Sequence, residues 1–144
     1  MLRALALLAL VSCGDAPNRL YGSVSEVYEL QFDKVVINRI DKQLVIEYQK
    51  ANGGKTLKLS IYVADITIEA NTTFELTGTV GNVARATTQR IVESTINLEL
   101  EQGTITFNQA PDAGATVSGT FRSRTSNPTG RTLNGNFQAV VNQL

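Results

Sequence analysis

The stretch Thr95–Phe107, TINLELEQGTITF, decides how this chain reads. Its apolar residues recur at every second position, not at every third and fourth. A period of two belongs to an extended strand, whose successive side chains point to opposite faces. Over 95–101, Ile96, Leu98 and Leu100 point one way, and Asn97, Glu99 and Glu101 the other. Over 104–108, Ile105 and Phe107 form the inward pair. Between these runs, Gln102-Gly103 fits a two-residue hairpin loop with glycine where a positive φ is wanted. The expectation is a hairpin, 95–101 against 104–108.

The same alternation extends upstream. Leu44, Ile46 and Tyr48 alternate with Val45, Glu47 and Gln49. Leu57, Leu59, Ile61 and Val63 alternate with Lys58, Ser60 and Tyr62. Ala51-Asn52-Gly53-Gly54 is a turn between these runs, and Asp41-Lys42 a tight turn after a strand over 34–40. Residues 66–69 and 73–78 are further strand candidates, and 82–88 a weaker one, with Val83 its only large apolar residue. Segment 20–32 reads two ways. Leu20, Val24, Val27 and Tyr28 share a helical face, whereas Tyr28, Leu30 and Phe32 alternate. The alternation favours a strand from about Val24. A short helix or turn near 90–93 is the other helical candidate.

Downstream there is a small internal echo. Val117-Ser118-Gly119-Thr120-Phe121 and Leu133-Asn134-Gly135-Asn136-Phe137 share an apolar-x-Gly-x-Phe pattern. A functional reading makes the Gly–Phe pairs a ligand-facing groove. The structural reading, which we favour, has the glycines letting the chain bend or an aromatic ring pack over it. Asn127-Pro128-Thr129-Gly130 and Asp112-Ala113-Gly114 are turns. Roughly eight to ten strands with short turns make an all-β fold, an antiparallel β-sandwich or a closed β-barrel.

The N-terminus is different in kind. Residues 1–13 read MLRALALLALVSC, with Arg3 as a positive start and an apolar run from Ala4 to Val11. That run has signal-peptide length and falls far short of the ~20 residues a spanning helix needs. Leu10-Val11-Ser12-Cys13 resembles a bacterial lipobox: aliphatic, small or β-branched, small, then the cysteine. The resemblance implies diacylglycerol on the Cys13 sulfur, cleavage between Ser12 and Cys13, and acylation of the new N-terminus. It divides the chain into a signal peptide at 1–12, a lipidated cysteine with a short tether at 13–19, and a single all-β domain at 20–144. It also implies the bacterial cell envelope, on the periplasmic or outer-membrane side, with the lipid membrane reached through Cys13. Two or three acyl chains hold a protein stably at a bilayer. The whole chain looks like the many small all-β envelope lipoproteins without an assigned activity. No motif defines that second likeness, so it carries over no functional residue.

Composition narrows the chemistry. The chain has 144 residues, of which 42% are apolar and 18% charged, a balance that suits one ordered domain. There are 13 basic and 13 acidic residues, and losing Arg3 with residues 1–12 leaves 12 against 13, a net −1. Such a balance gives no long-range attraction for nucleic acid. Arg122, Arg124 and Arg131 are a local excess best read as a solvated strand face. Cys13 is the only cysteine and histidine is absent, so Ser-His-Asp and Cys-His catalysis are excluded. Histidine–metal sites are excluded too, and with its thiol lipidated Cys13 is no zinc ligand. No phosphate-cradling glycine loop is present, and no cofactor is expected.

Two weaker chemistries remain. Glu99 and Glu101, two apart on one strand, would lie ~7 Å apart as a carboxylate pair for glycoside chemistry. Their simpler reading is a solvated outer face. Asp33, Asp41, Asp65 and Asp112 are scattered oxygen donors without a calcium-loop pattern. Tyr21, Tyr28, Tyr48 and Tyr62, with the phenylalanines, fall mostly on apolar faces and read as core. The expected function is therefore a non-enzymatic envelope β-domain, structural or binding another envelope protein. A carrier of a small hydrophobic ligand is the alternative, and a carboxylate-dependent hydrolase a distant third.

Overall fold

The computed structural model describes residues 18–63, 67–76, 84–89, 95–127 and 130–144, with backbone alone at 84–89, 95–100 and 127. Nine strands fall in this set: β1 (Arg19–Tyr21), β2 (Lys34–Ile40), β3 (Gln43–Gln49), β4 (Lys55–Tyr62), β5 (Thr73–Glu75), β6 (Ala84–Gln89), β7 (Thr95–Phe107), β8 (Thr116–Asn127) and β9 (Thr132–Gln143). One 3₁₀ turn, Ser23–Glu26, is the only helical element among the described residues. The all-β expectation holds, and all nine strands join one curled, mixed sheet.

The long strands β7, β8 and β9 form an antiparallel meander. Its outer strands each change partner along their length. The start of β7 pairs with β6 and its end with β5. The start of β9 pairs with β1 and its end with β2. The run β2-β3-β4-β6 thus joins the meander at diagonally opposite corners, which forces the sheet to curl. The ladders make a circuit of seven strands, β9-β2-β3-β4-β6-β7-β8 and back to β9. A circuit of antiparallel neighbours needs an even number of strands. With seven, one ladder must be parallel, and it is β2 on β9, Ile37 facing Val141 and Arg39 facing Gln143. The expectation of a wholly antiparallel sheet is corrected there.

The hairpin expected at 95–108 does not form: β7 runs unbroken from Thr95 to Phe107. Gln102 and Gly103 sit mid-strand, opposite Arg124 and Ser123. Irregular register from Glu99 to Gln102 marks a bulge where β7 passes from β6 to β5. Gly103 is not among the positive-φ glycines. It is small because a Cβ there would lie 3.0 Å from the Cβ atoms of both Leu76 and Ser123. The Leu76 amide also donates to the Gly103 carbonyl at 2.7 Å. This glycine permits a close crossing, not a turn.

The strand expected from Val24 is also overturned. Gly22 takes φ 136°, and the chain then coils into the 3₁₀ turn, Ser25 and Val27 donating to Gly22 and Val24 carbonyls. Val24 is fully buried under it, and Tyr28, Leu30 and Phe32 pack on the core without forming a strand. Residues 67–69 are not a strand, although Ile68 is buried. Within strand candidate 73–78 lies β5, with Leu76 outside the strand; 84–88 of candidate 82–88 belong to β6; and 77–78, 82–83 and 90–93 lie outside the described residues. The two short turns form as read. Asp41, at φ 50°, links paired Ile40 and Gln43, and Gly53, at φ 85°, turns the chain between β3 and β4.

Inward side chains stack in layers across β2, β3 and β4: Val35–Tyr48–Leu57, Ile37–Ile46–Leu59, and Arg39–Leu44–Ile61. Phe107, Phe121 and Phe137 fill the meander side, with Phe107 and Phe137 edge-to-face at 5.5 Å. The buried Tyr48 hydroxyl donates to the Asn136 carbonyl at 2.8 Å, tying β3 to β9 across the core. Burial pushes that phenol well above its ordinary value of 10.0. The echoed motifs face each other: Gly119 opposes Phe137 and Phe121 opposes Gly135. A Cβ on Gly119 would lie 2.4 Å from the Phe137 ring, and one on Gly135 2.5 Å from the Phe121 ring. Each ring lies over the opposite glycine, which is the structural reading of the echo.

Candidate functional site

Ser12, Cys13 and the rest of the N-terminal segment lie outside the described residues. Description begins at Asn18, five positions after Cys13, and Asn18 is already fixed. It accepts from the Gln138 amide at 2.6 Å through Oδ1 and donates to the Gln138 carbonyl at 3.3 Å through Nδ2. β1 follows at once, laid on β9 through Arg19–Asn136, Leu20–Gly135 and Tyr21–Asn134. Arg19 sits over the Tyr21 ring at 5.5 Å.

Among the described residues, the others singled out from sequence do not converge. The side chain of Glu99 lies outside the described residues, and Glu101 is exposed within the β7 bulge. The backbone register is irregular between them. Asp33 accepts from the Ala51 amide at 2.6 Å and so anchors the β3–β4 turn. Asp41 belongs to the β2–β3 turn, and the Asp112 carbonyl accepts from Ala115 at 3.0 Å in another. Asp65 lies outside the described residues. Among those described, no three acidic or sulfur side chains gather as metal ligands. Arg122 and Arg124 are exposed on β8. Arg131 instead joins the 3₁₀ turn to β9, donating to the Ser23 carbonyl at 3.0 Å and pairing with Glu26.

Among the described residues, two clefts stand out. The larger, about 520 Å³, is wide and open between Asn18, Leu30, Gln31, Phe32, Asp33 and Lys50. Its charged members are engaged: Lys50 pairs with Glu29 at 2.5 Å, and Asp33 holds Ala51. The smaller is about 150 Å³ and lies beside the ends of β2 and β4 and the start of β3. Its walls are Leu44, Val63, Ile68 and Pro111, with Thr67 and Asp112 also lining it. Arg39 completes it.

Arg39 is the residue that the sequence reading missed. On β2 the inward positions run Val35, Ile37, Arg39, and the ladder sets Arg39 level with inward Leu44. A strand assigned to 34–40 already carries that parity, so an arginine on the apolar side was a visible signal. Its backbone carbonyl accepts from the Leu144 amide at 3.1 Å. Its guanidinium makes neither a hydrogen bond nor an ion pair with any described residue. Asp112 lines the same cleft and forms no ion pair with it.

No protein-family model matches the chain, and comparison with curated proteins and with solved structures gives no match.

Proposed function

We propose that this chain is a lipid-anchored protein of the bacterial envelope whose β-domain acts by binding another envelope component and not by catalysis. The observation that carries the reading is the segment MLRALALLALVSC with Cys13 at its end. The position of Asn18 supports it. Five residues span at most ~17 Å when extended, so a lipid on Cys13 would hold β1 and the start of β9 close to the bilayer. The short strands β1 and β5 lie at the ends of the sheet path, where a partner strand could add to an edge. The core supports binding at the surface in preference to binding in the middle. Tyr48, Phe107, Phe121 and Phe137 are each at most 1% exposed and occupy the interior between the sheet's two sides.

Intact-mass analysis of the chain recovered from bacterial membranes tests the anchor. The expected species begins at Cys13 and carries two or three acyl chains, and Cys13→Ala leaves the membrane fraction. A chain retaining residues 1–12 with an unmodified thiol overturns the anchor. Cross-linking in intact cells tests the binding role, through one reproducible envelope partner that co-purifies.

A further inference from the structure

The cleft around Arg39 has the makings of a ligand site independent of the lipid anchor. Three facts meet there. A cation occupies an inward strand position in register with Leu44 and Ile61. The residue is half-buried, and its guanidinium has no partner among the described residues. Leu44, Val63, Ile68 and Pro111 line the cleft beside Thr67 and Asp112. Burying a charge without a partner costs free energy, and Lys50, Lys55 and Arg131 each meet a carboxylate where Arg39 meets none among the described residues. An anion supplied from outside removes that cost. The guanidinium is a planar fork of N–H donors, matched to a carboxylate's two oxygens. Size limits the rest of the ligand, since a cleft of about 150 Å³ admits a group the size of benzene.

We propose that this cleft binds a small aliphatic or aromatic monocarboxylate, its carboxylate on Arg39 and its apolar body against Leu44, Val63, Ile68 and Pro111. Asp112 lies on the same cleft and would receive an ammonium group if the natural ligand is an apolar amino acid. A plain carboxylic acid would leave Asp112 in water. The shared chemistry is the carboxylate on an apolar body of four to seven heavy atoms.

The test is titration of the full chain, in detergent, with 3-methylbutanoate, valine and the neutral 3-methyl-1-butanol, followed through the Arg39 Nε–H and neighbouring amide resonances. The acid is expected to saturate the Arg39 signal with a dissociation constant of about 1 mM, the scale open to so small a ligand. The alcohol should bind at least about tenfold more weakly. Arg39→Leu should lose acid binding by a similar factor while keeping or raising the melting temperature, because leucine completes the apolar layer. If valine exceeds 3-methylbutanoate and Asp112→Asn removes the advantage, the ligand class is the amino acid; if the acid binds as well or better, it is the plain carboxylate. Equal binding of acid and alcohol to the unaltered chain overturns the proposal without recourse to any variant. So does acid binding that survives Arg39→Leu, or an unshifted Arg39 resonance at 20-fold excess over the expected constant.

Discussion

Two meanders in this molecule use glycine in opposite ways. In β2-β3-β4 the strands are seven or eight residues long, and the chain reverses at Asp41-Lys42 and around Gly53. A Cβ on Gly53 would meet nothing within 4 Å, so its φ of 85° is the reason for the glycine. In β7-β8-β9 the strands run twelve or thirteen residues, and Gly103, Gly119 and Gly135 lie inside them, each paired across a ladder. None of those three is among the positive-φ glycines, and a Cβ on each would crowd a ring, a side chain or a carbonyl. One meander uses glycine for its backbone freedom and the other for its missing side chain. A sequence motif such as Gln102-Gly103 looks alike in both roles.

The sharpest way to break this comparison is to remove a ring. Phe121→Ala should cost about 3–5 kcal/mol in chemical denaturation, since it empties a fully buried site and uncovers Gly135. Next, Gly119→Ala should cost about 2–3 kcal/mol, because its Cβ would sit 2.4 Å from both the Phe137 ring and the Thr106 carbonyl, and the carbonyl cannot swing away. Combining Gly135→Ala with Phe121→Leu should cost less than the two changes added, as the smaller side chain relieves part of the crowding; strict additivity would deny the ring-over-glycine contact.

Gly103 separates the two roles most directly. Gly103→Ala should cost about 1 kcal/mol, and Gly103→Asn more, because the larger side chain meets Leu76 and Ser123. A positive-φ turn would show the reverse order, asparagine being the better tolerated there. Tyr48→Phe, on the other meander, should cost about 1 kcal/mol through the lost bond to Asn136. Burial raises the folded phenol's pKa, so above about pH 10 tyrosine in the unfolded chain ionises while Tyr48 stays neutral. The unfolded state then gains and stability falls as pH rises; Tyr48→Phe should remove that part of the slope and leave the slope at pH 7–9 unchanged. The smallest effect is expected at Glu101→Gln, within about 0.5 kcal/mol in melting experiments, since the residue is exposed on the bulge.

Alternating runs made β2, β3 and β4 legible, and the inward sets Leu44-Ile46-Tyr48 and Leu57-Leu59-Ile61 are the buried ones. Val45 and Glu47 broke the simple reading. Both are buried although they alternate with the core residues, and Glu47 pairs with Lys55 of the neighbouring strand at 2.5 Å. The Val24 segment was misread because Tyr28, Leu30 and Phe32 do alternate, yet their burial comes from packing on the core without a ladder. Arg39 was passed over because a lone arginine in a strand looks like surface until parity and register are both fixed.

By itself the sequence determined the all-β class, the two tight turns and the inward residues of the regular strands. These depend on period and on local φ demands, which neighbours in the chain already set. Only the tertiary structure decided that β7 continues through Gln102-Gly103, that β2 closes in parallel on β9, and that Arg39 meets Ile68, Pro111 and Asp112 around one cleft. Those outcomes depend on which distant strand lies alongside, and no local pattern encodes a partner some thirty to a hundred residues away.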